Sequence, residues 1–304
     1  MELVIGERRY SSWSLRGYLA LELTGAPYQT RAYPLFSETF ETLRQTYAPA
    51  RKVPVLRLDD GGLVWESLSI IEELAERFPG AGLWPQEPAA RAAARAVCGE
   101  MHAGFQALRA ACPMNLERRY VGFEPSLEVL EDVARIESLW AWIRDNFPTA
   151  SGGDGPWLFG ALPCAADVMF APVVTRFVTY GLGESETTAR LQQALYEWGP
   201  FRRWRAMGVA ETRRIEDSEM DLPEERRFGP PTRPAQALPA DSSVATVNAA
   251  CPYSGKPVTA ESRAMIDGVA IGFCNPFCRD KSVADADAWP KLAPLLPASR
   301  LGVA

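Results

Sequence analysis

One histidine, His102, serves all 304 residues. An imidazole-rich metal centre is therefore excluded, and a Ser-His-Asp triad would have to use this one side chain. His102 lies in an alanine-rich helical stretch and reads as structural. Positive charge is also short: 32 Lys and Arg face 38 Asp and Glu, for a net charge of −6. Such a chain has no basic field to hold phosphates, so nucleic acid is not an expected partner. Long apolar runs are missing too. The stretch 168–178 is interrupted by Pro172 and Arg176, and the first six residues hold no cleavable apolar segment, so neither membrane insertion nor export is expected. Six cysteines, three of them near the C-terminus, do not make a secreted disulfide framework and suit a reducing cytoplasm.

What is present is ample core material, 47% hydrophobic and 10% aromatic, in a length that fits two ordinary domains and a remainder. Residues 1–80 alternate in type. Strands are expected at 3–5, 28–33, 53–58 and 63–65, and helices at 14–23 and 67–78, with a polar segment at 38–47 and a turn at Asp59-Asp60-Gly61-Gly62. This is a βαβα-ββα order. From 89 to 214 the period becomes helical throughout, with Trp140, Trp142, Trp198 and Trp204 at core-like spacings. Residues 215–248 carry five prolines and mixed charges, and read as a partly extended linker. Residues 249–304 hold three cysteines and a Pro/Leu tail.

The stretch RRYSSWSLRG, residues 8–17, crowds three serines into one strand-to-helix turn. A helix N-terminus exposes unpaired N–H groups and favours an anion. Simple capping needs one serine and leaves two unexplained. Further along, Pro54 opens a strand, and Glu66-Ser67 stands where a strand passes into a helix, offering a carboxylate, a hydroxyl and fresh N–H donors.

In this order YSSWSLR, KVPVL, ESLSIIEEL and LFGALPCAADVMFAPVVTRF resemble the cytosolic glutathione transferase family, over about residues 1–215. The resemblance implies an α/β thioredoxin-like N-terminal domain (1–80) that holds glutathione and an all-α helical-bundle domain (89–214) that forms the electrophile pocket. It implies that Val53, before a cis Pro54, pairs with the cysteinyl backbone of glutathione, beside Trp13 and Lys52. Glu66 and Ser67 would hold its γ-glutamyl end. The turn is most similar to the serine-using, zeta-like classes, with Trp13 where their cysteine stands. Ser11 is then the first candidate thiolate donor and Ser12 the second, whereas Tyr10 reads as packing. Activity on small apolar electrophiles, a detoxifying role and a homodimer are the further implications. A non-catalytic glutathione-binding or metal-sensing adaptor and a zeta-like isomerase are the alternatives.

The magnitudes suffice. A free thiol has a pKa near 8.5, and lowering it by about two units takes roughly 2.7 kcal/mol. One charge-assisted hydrogen bond contributes about 1.5–3 kcal/mol and a helix terminus about 0.3–1. Asp167, three residues after Cys164, reads as stabilising a buried helix start in which cysteine replaces the usual capping hydroxyl.

CPYSGKPV and DGVAIGFCNPFCRDK carry Cys251, then Cys274 and Cys278, and over about forty residues they resemble small YHS-type metal-binding modules, with Asn275 where that pattern has a further cysteine. Three thiolates suit zinc, with Asp267, Asp280, water or another chain as the fourth ligand. The bland alternative is three cysteines packed as small apolar residues.

Overall fold

The computed structural model describes residues 1–224 and 232–297. These fall into two compact units, one formed by Met1–Leu195 with 215–224, the other by Tyr196–Arg214 with 232–297.

The first unit opens with β1 (Glu2–Ile5), α1 (Ser12–Thr24), β2 (Gln29–Ala32), α2 (Glu38–Thr46), β3 (Val55–Arg57), β4 (Leu63–Trp65) and α3 (Ser67–Arg77). The sheet order is β2-β1-β3-β4, with β1 parallel to β2 and antiparallel to β3. This is the expected thioredoxin-like arrangement. Leu3, Val4 and Ile5 are fully buried because β1 is an inner strand, covered on both faces. Val4, Leu43, Tyr47, Ala50, Val53 and Val55 form a core under α2. On the other side α1 packs against α3, and Gly17 lets α1 lie close to Pro54 and Leu3: a Cβ there would lie 3.1 Å from the Cβ of Pro54.

The helical part follows with α4 (Pro88–Ala103), α5 (Gln106–Ala111), α6 (Leu127–Asn146), α7 (Ala165–Tyr180) and α8 (Glu186–Glu197). Every residue of α7 is buried, which explains an apolar run with no polar face. Asp167 starts this helix. Its carboxylate accepts the N–H of Cys164 at 2.9 Å and that of Leu158 at 2.9 Å, and burial raises its pKa to about 6 against those hydrogen bonds. Trp140 is fully buried as its spacing suggests, but Trp142 is 47% exposed, because helical periodicity places it one step off the packed face.

The second unit holds α9 (Gly199–Val209), β5 (Ala235–Ala237), β6 (Arg263–Ile266), β7 (Val269–Gly272) and α10 (Pro276–Ala284). Its sheet order is β5-β6-β7, antiparallel throughout. Ile266, Ile271, Phe273 and Leu292 form its core with Ala206 of α9. Arg202 of α9 makes a two-pronged pair with the buried Asp285, at 2.7 and 2.8 Å. Of the stretch 215–248, expected as a linker, residues 215–224 pack within the first unit and Ala235–Ala237 forms β5, while 225–231 lie outside the described residues. No helix among the described residues is long and apolar enough to cross a membrane.

Candidate functional site

The serine turn is built as a small hydroxyl network. Ser11 is the N-cap of α1: its side chain accepts the N–H of Ser14 at 3.3 Å, and its backbone is extended, as capping requires. The hydroxyl of Ser11 donates to that of Ser14 at 2.7 Å, and Ser14 also accepts the N–H of Gly6 at 3.0 Å. Ser14 is fully buried and acts as a brace, whereas Ser12, the first helical residue, is half-buried. Three serines therefore divide into a cap, a brace and a hydroxyl at the mouth of the helix.

Tyr10, Ser11, Ser12 and Trp13 line one wall of a cavity of about 520 Å³. Lys52 and Val53 line it too, with Arg44 and Arg51 adding positive charge and Phe36 and Phe40 apolar surface. The Val53–Pro54 peptide is cis, and so is Trp65–Glu66. Five sequence candidates thus share one cavity: Ser11, Ser12, Trp13, Lys52 and Val53. Pro54, Glu66 and Ser67 lie outside its lining.

Glu66 and Ser67 sit at the start of α3. Glu66 caps the helix by accepting the N–H of Leu68 at 3.2 Å, and its other oxygen lies 3.3 Å from Nε2 of His102. Ser67 is 1% exposed, and its hydroxyl is buried without a hydrogen-bond partner among the described residues. An orphaned buried hydroxyl costs free energy and fits a group that arrives with a ligand.

Trp13 is held by cations. The guanidinium of Arg16, one turn on, lies 4.3 Å from its ring centroid, and that of Arg109 lies 5.0 Å away. The ring of His102 is 5.1 Å from it. Arg16 is fully buried and donates to the carbonyls of Met169 and Ser12. Burial, then the charges of Arg176 and Arg109, hold its pKa well below the usual range. The guanidinium groups of Arg16 and Arg109 favour an anion near the turn, offset in part by the carboxylate of Glu66. Arg16 and Arg109 escaped the sequence reading, and His102, read there as structural, lies against Glu66 and Trp13; His102 and Arg109 come from α4 and α5, and no local pattern ties them to Trp13.

Tyr10 is not a free phenol. It donates to Glu219 at 2.5 Å, and burial, then that hydrogen bond, raises its pKa.

In the second unit Cys251, Cys274 and Cys278 bring their sulfurs within 4.8 Å of one another. Burial opposes ionisation of Cys251, but the N–H groups of Tyr253, Ser254 and Cys274 and the Ser254 hydroxyl outweigh it and bring the thiol to about 7. Burial and the Cys251 charge push Cys278 up to about 12. Ser254 Oγ and Asn275 Nδ2 donate to Cys274 Sγ at 3.2 and 3.3 Å. Asp267 and Asp280 do not join the cluster; they pair with Arg233 and Arg279, each at 2.7 Å.

Residues 10–77 match the glutathione S-transferase N-terminal domain. The chain is similar to a maleylacetoacetate isomerase of Pseudomonas aeruginosa, 30% identical over 187 residues, covering 60% of this chain and 84% of the relative. A probable maleylacetoacetate isomerase of Caenorhabditis elegans is 38% identical over 101 residues, 33% of this chain and 46% of that protein. A glutathione transferase homologue from Burkholderia, solved with bound glutathione, has a similar fold, with a TM-score of 0.51 at 20% identity over 68% of this chain and 96% of the other.

Proposed function

The chain belongs to the glutathione S-transferase family, and on that premise we propose that it is a glutathione-dependent enzyme whose Ser11 turn stabilises the glutathione thiolate for addition to a small electrophile. The observation that carries this is Ser11, the N-cap of α1, in the lining of the cavity that Lys52 and Val53 share. To serve the thiolate, Ser11 turns its hydroxyl hydrogen from Ser14 to the sulfur. That hydrogen bond, the helix end and the guanidinium field all favour the anion. Val53 supplies backbone groups for the cysteinyl part, and Glu66 with the unpartnered Ser67 receives the γ-glutamyl end. Ser12 is the second candidate donor, placed one residue inside the helix.

The 30% identity to a maleylacetoacetate isomerase favours a second reading in which the same thiolate works as a catalyst and is returned. There the sulfur adds to one carbon of a conjugated cis double bond, the bond order falls to one, the molecule rotates, and elimination restores the double bond in trans and releases the thiolate. Conjugation consumes one glutathione per turnover; isomerisation consumes none. Following free thiol during turnover of chlorodinitrobenzene and of maleylacetoacetate separates the two. Thiol loss with the first substrate alone supports transfer, and product without thiol loss from the second supports isomerisation. Activity with neither overturns both.

The second unit adds a zinc site in this proposal. The cluster of three sulfurs, with N–H donors that favour thiolate, fits a thiophilic cation, and zinc there would brace a small sheet by binding only the folded state. Asp267 and Asp280 are engaged elsewhere, which leaves the fourth position to water or another chain. A cytoplasmic location and a homodimer complete the reading; the six free cysteines suit a reducing compartment.

A further inference from the structure

The segment 215–224 is charged and proline-containing, and composition marks it as solvent-loving chain. In the structure it straps the first unit instead. Val121 N–H donates to the Pro223 carbonyl at 2.8 Å, Met220 N–H to the Tyr120 hydroxyl at 3.0 Å, and Asn115 Nδ2 to the Ser218 carbonyl at 3.4 Å. Arg118 pairs with Glu224. These contacts hold the strap without help from Glu219.

Glu219 faces the serine turn. One oxygen takes the Tyr10 phenol at 2.5 Å; the other takes Arg118 Nε at 3.3 Å and the Tyr120 hydroxyl at 3.4 Å. Tyr10 is 7% exposed, lines the cavity and directly precedes Ser11. The same turn is gripped from the loop after α5, where Leu116 N–H donates to the Arg9 carbonyl at 3.3 Å and Glu117 lies 3.4 Å from Arg9. Two segments far apart in sequence thus converge on the residues just before the N-cap.

We propose that Glu219 is a positioning residue for the Ser11 turn, acting through the Tyr10 phenol. This rests on the reading of Ser11 as the thiolate donor. A locked Tyr10 fixes the backbone direction from which Ser11 leaves the turn, and with it where the hydroxyl points. It also fixes one wall of the cavity. A carboxylate suits the place because Tyr10, Arg118 and Tyr120 all donate to it. A glutamine amide keeps one acceptor oxygen for Arg118 and Tyr120 and turns its NH₂ to Tyr10, so the carboxylate charge and its hold on the Tyr10 phenol hydrogen are lost. Displacing a catalytic group by an ångström costs as much as about a hundredfold in rate.

The test compares the parent, Glu219→Gln, Tyr10→Phe, the double variant and Ser11→Ala. Each is followed by the ultraviolet absorbance of bound glutathione thiolate against pH, by glutathione calorimetry, by turnover and by thermal melting. Glu219→Gln and Tyr10→Phe should each move the thiol titration to higher pH and lower kcat by about tenfold, on the scale of a modest misplacement. Glutathione affinity should stay within about threefold, and the double variant should be no worse than either single one, because both break one contact. Tyr10→Phe removes the bond from the other end and keeps the test decisive if Glu219→Gln fails to fold. If folded Glu219→Gln or Tyr10→Phe titrates like the parent while Ser11→Ala loses the thiolate signal, the positioning role is overturned and the Ser11 reading stands. If Ser11→Ala also titrates like the parent, the reading falls and the inference with it.

Discussion

The Ser11 and Ser14 hydroxyls lie 2.7 Å apart, and Ser14 also takes the amide of Gly6. One serine is therefore spent on holding the other and the end of β1. Replacing the two should separate structure from chemistry. Ser14→Ala orphans a buried N–H and should cost about 1–3 kcal/mol of stability, with bound thiolate still forming. Ser11→Ala should keep glutathione binding and lower turnover by about 10²–10³, the scale of losing one preorganised donor. Thermal melting and steady-state rates check both, and a Ser12→Ala variant with the larger loss would transfer the role to Ser12.

Ser67 gives an unusual expectation because its buried hydroxyl has no partner among the described residues. Ser67→Ala removes an unsatisfied group, so the free protein should melt at the same temperature or slightly higher. Glutathione should bind about tenfold more weakly, the worth of about 1.4 kcal/mol for a hydrogen bond made only in the complex. Calorimetry beside melting reads both; lower stability with unchanged affinity would mean that the hydroxyl serves the fold and not the ligand.

How much of this was legible in sequence follows from distance along the chain. The Ser11 cap, the hairpin of β3 and β4 and the start of α3 at Glu66 are written in neighbouring residues, through capping preference, a double-glycine turn and proline placement. So is the gathering of Cys274 and Cys278, which share the first turn of α10 and the residues before it. The hydrogen bond from Tyr10 to Glu219 joins residues 209 apart, and the contact of His102 with Glu66 crosses from α4 to α3. Neither has a local signature. Composition also misdirected in part: Glu216, Asp217 and Asp221 are exposed as solvated chain would be, but Glu219 and Glu224 are spent on Arg118, Tyr10 and Tyr120.

Asp167 should make stability depend on pH in the opposite sense to an ordinary ion-paired carboxylate. Its folded pKa, raised by burial to about 6, exceeds the ordinary 3.8. Between those values the folded state binds more protons than the unfolded one, so this group's contribution falls as pH rises through the window. Asp167→Asn removes the titration. The parent should therefore gain on this variant as pH is lowered from above 6 toward 4, by about 2–3 kcal/mol at about 1.36 kcal/mol per pKa unit. Denaturant titrations of both proteins at several pH values give the difference, and a parent that loses ground on acidification would contradict the raised pKa.

The pair between Arg202 of α9 and Asp285 should decide whether α9 is held by the second unit. Asp285 is 4% exposed and takes both prongs of the guanidinium. Arg202→Ala would strand a buried carboxylate and should cost about 3–5 kcal/mol, whereas an exposed pair would cost under about 1. Hydrogen exchange should show the loss in β6, β7 and α10, with β1 to β4 unaffected.

Metal removal tests the cysteine cluster. Among the described residues of the second unit the core is small, centred on Ile266, Ile271, Phe273 and Leu292, so an ion that binds only the folded state has much to add. Native mass spectrometry of the full chain should show one zinc per chain, lost on chelation and absent from Cys274→Ser. Chelation should lower the melting of this unit while the glutathione site stays competent, because Cys251, Cys274 and Cys278 all belong to the second unit and Ser11 to the first. A melting profile indifferent to zinc and chelator, with no ion in the mass spectrum, would reduce the three cysteines to packing.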